Sequence, residues 1–314
     1  MQIKQFLIAV CIGLMFAACS NEETPTQNLG GIPINFTANI QNLVASVGTR
    51  VADGTTGMVN TNFPENSQIQ VAMKEYGSTD CYITNSSSTW EYTSTSEKMY
   101  LPYNATSKTI GAFYPVPSTS TYQLLNNMGY FQVSSDQSDI DNYKSSDFLG
   151  AVATVTKENV GAVELNFKHL GSKVIVNVYN GSNRVSGYTI TMKDVYRKAT
   201  LDGNNNPIKV LSQYLGDKGP VIFGVSSSSV GQAAIIIPQT INTDVALFEV
   251  TKDGVTYTFT TTESITLKSG YSYTFNLKFE NTEIGFGSVI IGSGWGSDPD
   301  KSTPIEGTLS EQTT

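Results

Sequence analysis

The amino-acid sequence predicts an all-β protein built as a sandwich or a barrel. Apolar residues recur at every second position in many short segments, whereas long stripes with helical spacing do not occur. Turn-forming pairs such as Asp253-Gly254 and Asp202-Gly203 separate these segments. The chain also has 16 tyrosines and 14 phenylalanines but only 15% charged residues, a composition typical of an extracellular β protein with polar loops.

The clearest early strand is Ile32–Ile40, because its alternate side chains can form one apolar face on a core. These alternate residues are Ile32, Ile34, Phe36, Ala38 and Ile40. Asp253-Gly254 lies between two β-rich runs and predicts a tight hairpin. The other predicted strands are 68–73, 99–101, 109–114, 161–167, 173–179, 188–192, 233–237, 247–250, 255–260, 271–279 and 288–291.

A length of 314 residues suits one large or two ordinary domains. Ser134–Asp147 is polar and acidic and is predicted to be a long loop, after which the denser β half starts near Gly161. We therefore expect an N-terminal domain over residues 32–160 and a C-terminal domain over residues 161–295. Residues 296–314 are polar and are predicted to form a flexible tail.

The N-terminus resembles a lipoprotein export signal. Lys4 precedes the apolar run Phe6–Phe16, which is too short to cross a bilayer, since that needs about twenty residues. Ala17 and Ala18 then lead into Cys19, as in a lipobox. Residues 1–18 are thus predicted to be a signal peptide and Cys19 to be lipidated. The alternative is an ordinary signal peptide cut at Ala18, with Cys19 incidental.

Residues 19–31 are predicted to form a polar tether, because they contain too few apolar side chains to bury a core. The acidic stretch that follows Cys19 is similar to the surface-export signal of Bacteroidetes lipoproteins. This resemblance implies a lipid-anchored precursor on the outer face of the outer membrane.

Charge and cysteine content exclude several classes of protein. A net charge of −8 and scattered basic residues argue against nucleic-acid binding, which requires a basic patch. Cys11 lies in the predicted signal peptide and Cys19 is predicted to carry lipid, so Cys81 remains alone in the body of the chain. The sequence therefore predicts neither an internal disulfide nor a paired-cysteine metal site.

Candidate catalytic and metal-binding residues are few. The single histidine, His169, limits acid–base catalysis, and no serine lies in a Gly-x-Ser-x-Gly motif, so we expect His169 to hydrogen-bond within a strand connection. Asp202–Asn206 and the group Asp136, Asp139 and Asp141 resemble calcium loops but lack a closing bidentate glutamate, which favours turns. We predict no enzyme, no metal and no cofactor; a hydrolase with scattered carboxylates is a distant alternative.

Two further features each allow two interpretations. The aromatic residues Trp90, Tyr92, Tyr100 and Tyr103 could form a sugar-binding platform, although cross-strand pairing in a sheet is the favoured interpretation. Arg50 is one of only three arginines and follows Ser46-Val-Gly-Thr, a connection in which an Arg-specific protease could cut before Val51. It could equally be an ordinary surface arginine.

Several segments, taken in order along the chain, resemble the fimbrillin family of Bacteroidetes, which supplies major and minor pilus subunits. Each segment is weakly specific, but the ordered set spans nearly the whole chain after Cys19. The segments are Cys19, Gly48–Val51, Gly111–Pro115, Asp147–Ala151, Val163–Lys173, Ile235–Thr240, Leu267–Tyr273 and Ser288–Trp295.

This resemblance implies two tandem transthyretin-like β-sandwich domains and assembly by donor-strand exchange. A protease would cut after Arg50, residues 32–50 would leave as a propeptide, and a strand from a neighbouring subunit would fill the vacated groove. The candidate donor residues are Ile284, Phe286, Val289 and Ile291. The expected function is a stalk or tip subunit of an adhesive pilus; the alternative is a permanently anchored surface lipoprotein that binds glycans and never polymerises.

Overall fold

The structure is a computed structural model, and it describes the chain in eleven stretches. These are residues 31–40, 63, 65–74, 81–86, 89–94, 98–117, 130–202, 209–224, 231–279, 296–297 and 305–311. Within them almost every regular element is a strand, and the exception is the short helix α1 (Ile140–Ser146). The predicted all-β fold is therefore confirmed.

The described chain up to residue 169 contributes the first ten strands. They are β1 (Gly31–Pro33), β2 (Phe36–Ile40), β3 (Gln68–Met73), β4 (Cys81–Ser86), β5 (Thr89–Tyr92), β6 (Tyr100–Pro102), β7 (Ser107–Tyr114), β8 (Tyr130–Gln132), β9 (Leu149–Thr156) and β10 (Val163–His169).

The later residues contribute fourteen more strands to the described part. They are β11 (Ser172–Asn180), β12 (Asn183–Arg184), β13 (Tyr188–Val195), β14 (Lys198–Asp202), β15 (Lys209–Tyr214), β16 (Gly219–Ile222), β17 (Gln232–Ile236), β18 (Thr240–Ile241), β19 (Ala246–Lys252), β20 (Val255–Thr260), β21 (Ile265–Thr266), β22 (Tyr271–Phe279), β23 (Gly296–Ser297) and β24 (Ile305–Glu311).

The strands form two large sheets and three small ones. The N-terminal half has a seven-stranded sheet in the order β2-β10-β9-β7-β3-β4-β5, and β1 pairs separately with β6. The C-terminal half has a sheet with the path β12-β11-β22-β24-β20-β19-β13-β16, to which β17 and β23 attach. Strands β15, β14 and β8 form a three-stranded sheet, and β18 pairs with β21.

Three clusters of buried apolar residues stabilise this arrangement. One cluster lies in the N-terminal half and includes Ile69, Ile110 and Leu165. A second lies in the C-terminal half and is centred on Phe248, whose ring packs against Phe223, Phe259 and Phe275. The third joins the two halves, and its members come from both large sheets and the three-stranded sheet.

The third cluster explains why some strands are apolar at consecutive positions. Strand β11 places Val174 and Val176 in the C-terminal cluster, while Ile175 points the other way into the joining cluster. Strand β3 does the same with Val71 in the N-terminal cluster and Ala72 in the joining one. A strand that is buried on both faces loses its alternation of apolar and polar residues.

The hairpin predicted at Asp253-Gly254 is confirmed. Strands β19 and β20 are antiparallel and pair Lys252 with Val255 across a two-residue turn. Both turn residues have positive φ, 51° at Asp253 and 82° at Gly254, as a type I′ turn requires. Many other predicted strands also coincide with observed ones, and 68–73, 255–260 and 271–279 match β3, β20 and β22 in full.

Two predictions differ from the structure. Ser134–Asp147 contains α1 instead of being loop throughout, because the Asp139 carboxylate accepts hydrogen bonds from the backbone of Asp141 and Asn142 and caps the helix. The segment predicted to be a flexible tail contains β23 and β24, and β24 is bonded between β22 and β20. The polar composition of this tail segment did not indicate a strand. Pairing with β22 and β20, which lie far away in sequence, decides the conformation of β24.

Several strands were not predicted from the sequence. Strands β4 and β5 are short and polar, and β9 is rich in small residues. In β9, the side chains of Ala151 and Val155 belong to the N-terminal cluster. The backbone of β9 pairs with all eight residues of β7. The predicted strand 288–291 lies outside the described residues.

We expect Phe248→Ala to lower the free energy of unfolding by about 3–5 kcal/mol, because it leaves a cavity where four aromatic rings meet. Urea denaturation measures the change. The control is Thr189→Ala on the exposed face of the neighbouring strand β13, which should shift stability by less than about 0.5 kcal/mol. Equal losses in the two variants would contradict this description of the core.

Candidate functional site

The first described residues, Gly31–Ile40, include residues 32–40 of the predicted propeptide 32–50. We call them the N-terminal segment. The segment crosses between two sheets, because β1 runs antiparallel to β6 and β2 runs parallel to β10. At the crossing the Ile34 amide donates to the Met99 carbonyl at 3.0 Å, and the Asn35 amide donates to the Val160 carbonyl at 2.9 Å.

The N-terminal segment fits closely against β6. A Cβ atom on Gly31 would lie 2.7 Å from both the Leu101 carbonyl oxygen and the Tyr100 Cβ. Contacts under 3.0 Å force the backbone to move, so only glycine allows this approach. The start of the segment is therefore adapted to the strand on which it lies.

The N-terminal segment completes the N-terminal cluster. Ile34, Phe36 and Ile40 are 0%, 5% and 8% exposed, while Ile32 and Ala38 pack partly buried against the same cluster. The five residues predicted as one apolar face thus all contact the core. Burial of a large apolar side chain is worth roughly 1.5–3 kcal/mol, so the segment contributes substantially to this half.

The space that the N-terminal segment fills is bounded by β10, β5 and β6, and we call it the groove. Along β10, Val163, Leu165 and Phe167 lie in register with Phe36, Ala38 and Ile40. Among the described strand pairs, β9 meets β10 only at Lys168 and His169. Between residues 163 and 167, the described strand ladder of β10 is therefore the one with β2, and the Val163 amide also donates to the carbonyl of Asn35 just before β2.

Tyr92 contacts the N-terminal segment from the opposite side of the groove. Its hydroxyl donates a hydrogen bond of 2.7 Å to the Ile34 carbonyl, and its ring lies 6.0 Å from the Phe36 ring in an edge-on arrangement. Tyr92 ends β5, which is the other edge of the sheet that begins with β2. The two edges thus approach each other, and the segment closes the gap between them.

Burial raises the pKa of the Tyr92 hydroxyl above its usual value, although a hydrogen bond with the backbone of Met99 acts in the opposite direction. The hydroxyl is consequently protonated at neutral pH. It can donate to a main-chain carbonyl in the groove whatever side chain that residue has.

The other end of the described chain is also a strand held by other strands. Strand β24 runs parallel to β22 from Ile305 to Leu309, and its Ser310 and Glu311 pair with β20. It lies inside the C-terminal sheet and not at an edge.

The predicted modification and exchange residues are only partly described. Cys19, Arg50, Val51 and the candidate donor residues lie outside the described residues. These donor residues are Ile284, Phe286, Val289 and Ile291. Of the predicted site residues, the structure therefore describes only Ile32, Ile34, Phe36, Ala38 and Ile40 of the strand that is predicted to be displaced.

The single histidine, His169, is buried and stabilises a connection between strands. His169 Nδ1 lies 2.6 Å from the Asp147 Oδ1, and both side chains are buried. The Ser269 hydroxyl donates to the carbonyls of His169 and Leu170, which lead from β10 into β11. These bonds fix the connection between the two halves, as the sequence predicts for His169.

The aromatic candidates divide into two pairs. Trp90 packs edge-on against Phe63 at 5.2 Å and Tyr92 lies in the groove, so both support the core. Tyr100 and Tyr103 are 45% and 63% exposed. The four residues therefore do not form one exposed platform.

The acidic candidates form turns and caps. Asp136 Oδ1 accepts bonds from the Ser138 backbone and hydroxyl, which lower the pKa of this carboxylate, while Asp139 caps α1. No cluster of three or more metal-ligating side chains occurs among the described residues. Of Asp202–Asn206, only Asp202 is described, and it ends β14.

None of the helices in the described stretches is long and apolar enough to cross a membrane.

Comparison with known proteins identifies the family. The model of the fimbrillin-like family matches residues 49–293, which is well over half of the chain. The chain belongs to the fimbrillin-like family. This family is structural and not enzymatic, so the predicted family and the prediction that the chain is not an enzyme are confirmed.

Solved structures share the fold of this fimbrillin-like chain. A protein from Bacteroides ovatus, provisionally described as a cell adhesion protein, has a TM-score of 0.61 at 20% identity and covers 85% of this chain and 99% of its own. A protein from Bacteroides uniformis with the same description has a TM-score of 0.53 at 14% identity, with coverages of 78% and 92%. No curated protein matches the sequence.

Sequence reasoning missed the Tyr92 contact. It singled out Tyr92 as one of several aromatic residues, but nothing in the sequence indicates that the hydroxyl meets the Ile34 carbonyl 58 positions away. Only the curvature that brings β2 and β5 together creates this contact.

We expect Phe36→Ala to loosen the N-terminal segment, because it empties a buried position next to Tyr92. Hydrogen exchange should then accelerate at least tenfold at the Val163 amide, which donates to the Asn35 carbonyl. Thr37→Ala is the control, since Thr37 is the exposed neighbour on the same strand. Equal exchange in the two variants would show that the buried face does not hold the segment.

Proposed function

We propose that the chain is the precursor of a pilus subunit, stalk or tip, that assembles by donor-strand exchange and serves in adhesion. An Arg-specific protease cuts between Arg50 and Val51, and the N-terminal segment leaves with the residues before the cut. A strand from a neighbouring subunit then fills the groove. The lipid on Cys19 anchors the precursor in the outer membrane until that step.

The observation that supports this proposal most is the placement of the N-terminal segment. Its apolar face completes a core, yet β2 is an edge strand whose ladder runs along β10 alone. Removal would leave an unpaired strand edge above exposed apolar side chains. Such an edge binds a replacement strand by β-augmentation.

Covalent linkage explains why a cut is needed. While residues 41–50 connect the segment to the rest of the chain, it rebinds as an intramolecular ligand at an effective concentration of about millimolar or higher. A strand from another molecule cannot compete at ordinary protein concentrations. Cleavage after Arg50 removes this advantage, so that a donor of similar affinity can displace the segment.

The proposed partners are other pilus subunits, the maturation protease and a ligand on a host or bacterial surface. We assign the donor strand to the C-terminal region, with Ile284, Phe286, Val289 and Ile291 as candidate donor residues. Membership of a family that forms fimbriae supports subunits of the same kind as the main partners.

The alternative function is glycan binding by a permanently anchored lipoprotein. It is favoured only by the exposure of Tyr100 and Tyr103, whose rings are available to stack on sugars. Binding to a glycan array by the uncut chain, together with failure to polymerise after cutting, would support this alternative.

Arg-specific cleavage of the lipid-free precursor should yield a ladder of polymers on native gels. We expect Arg50→Ala to abolish the ladder, because the N-terminal segment then stays attached and keeps the groove filled. The control is Arg184→Ala, which removes a partly buried arginine at the end of β12 and should leave the ladder intact.

Two results would contradict the proposal. One is a chain that is cut cleanly after Arg50 and remains monomeric. The other is normal polymer formation by the Arg50→Ala variant, which would remove cleavage at this site from the pathway.

A further inference from the structure

The connection between β13 and β14 carries an aromatic residue and two cations in a row, Tyr196, Arg197 and Lys198. Its backbone is held from two sides, because the Val133 amide donates to the Arg197 carbonyl and the Leu215 amide donates to the Lys198 carbonyl, both at 2.9 Å. All three side chains are partly exposed. They therefore extend from a fixed backbone to a position that solvent can reach.

Two lysines of the neighbouring strand pair β13–β16 have carboxylate partners. Lys193 Nζ lies 2.9 Å from Glu249 Oε1, and Lys218, directly before β16, has its Nζ 3.2 Å from Asp194 Oδ2. The charges of these lysines are thus compensated within the chain.

The Arg197 guanidinium differs from these lysines, because no described residue pairs with it. Its Nε is shielded from solvent and has no hydrogen-bond acceptor. Among the described carboxylates, none lies within ion-pair distance of it. A charged donor that has lost water without gaining an acceptor is costly. An anion that reaches the remaining N–H groups of Arg197 therefore gains more than it would from a fully solvated cation.

Gly219 determines how this guanidinium lies. A Cβ atom on Gly219 would be 3.1 Å from Arg197 Nη2 and 3.4 Å from both Cζ and Nε. Nearly equal distances from one point to three atoms of a planar group place that point above the plane. The guanidinium thus rests with one face against the start of β16. Its N–H bonds lie in the plane, so an acceptor approaches from the edge.

The overall charge of the chain selects among anionic ligands. A net charge of −8 repels a polyanion or a strongly acidic peptide as a whole. A ligand with one acid group on a neutral scaffold experiences much less repulsion. It keeps the contact that a guanidinium makes best, which is a bidentate pair with a carboxylate or a similar oxyanion.

The aromatic rings next to Arg197 favour a sugar as the neutral scaffold. Tyr196, the preceding residue, stacks on Tyr214 with 4.3 Å between ring centroids. Lys198, the following residue, has its Nζ 3.4 Å from the centroid of the Tyr130 ring. Tyrosine combines an apolar ring with a polar tip, which suits the C–H groups and hydroxyls of a sugar.

We propose that Arg197 binds the single acid group, a carboxylate or a sulfate, of an otherwise neutral saccharide, and that Gly219 holds the guanidinium in place for this contact. The inference names a chemical class for the surface ligand and rests on the adhesive role proposed above. The contact itself involves neither the groove nor strand exchange, so a failure of this site leaves the assembly proposal standing.

Calorimetric titration of the uncut, lipid-free chain tests the ligand class. The probes are a sialylated trisaccharide, a monosulfated lactose, neutral lactose and a peptide with a single glutamate. An acidic saccharide should bind, more weakly at higher salt, and lactose should not. The acidic probe that binds identifies the acid group. Binding of the peptide alone, equal binding of lactose, or no binding of either acidic saccharide would overturn the proposal.

A pair of charge-matched variants tests the residue. Arg197→Gln should weaken binding of the acidic saccharide about tenfold or more, because it removes a charged hydrogen-bond donor. Lys193→Gln removes the same charge from a lysine that is paired with Glu249 and should change the affinity less than about twofold. Equal weakening in the two variants would indicate a diffuse attraction to positive charge and would contradict the site.

Two further measurements separate binding from a structural role. Gly219→Ala keeps Arg197 but displaces its guanidinium, so the acidic saccharide should bind about fivefold or more weakly. Because Arg197 leaves a buried donor unpaired, Arg197→Gln should not lower the midpoint of urea denaturation. Full binding by Gly219→Ala, or a clear loss of stability in Arg197→Gln, would show that Arg197 supports the fold and does not form the proposed site.

Discussion

The N-terminal half depends on a strand that is attached to its sheet along one edge. Strand β2 bonds to β10. Its buried side chains Phe36 and Ile40, together with Ile34 just before it, complete the core to which β10, β7 and β3 also contribute. Core completion and single-edge attachment thus occur in the same segment. Its loss would expose apolar side chains and an unpaired strand edge together.

The joining cluster holds the two halves together without the N-terminal segment. Phe113 of β7 and Phe148, which directly precedes β9, pack with Ile175 and Ile235 from the C-terminal sheet. The buried His169–Asp147 contact lies at the connection between the two halves. None of these contacts involves the N-terminal segment. Loss of the segment therefore removes one wall of one core and leaves the interface between the halves in place.

Main-chain and side-chain contacts have different roles in the groove. The ladder along β10 and the Tyr92 hydroxyl recognise the backbone, which every strand shares, whereas the pockets for Ile34, Phe36 and Ile40 recognise residue type and spacing. Affinity can thus be similar for the resident segment and for a foreign strand with the same apolar spacing. In the proposed exchange, covalent attachment of the resident segment would determine which of the two occupies the groove.

The sequence alone determined the β class, the Asp253-Gly254 hairpin and the apolar face of Ile32–Ile40, since these follow from local alternation and turn chemistry within a few residues. It also determined the family, through motifs spread along the chain. Only the tertiary structure decided that β24 is a strand, that α1 interrupts a polar segment, and that Tyr92 meets Ile34. Strand β24 and the Tyr92–Ile34 contact depend on pairing and packing between residues far apart in sequence, which local composition does not indicate. Helix α1 has a local cap at Asp139, but the polar composition around it favoured a loop.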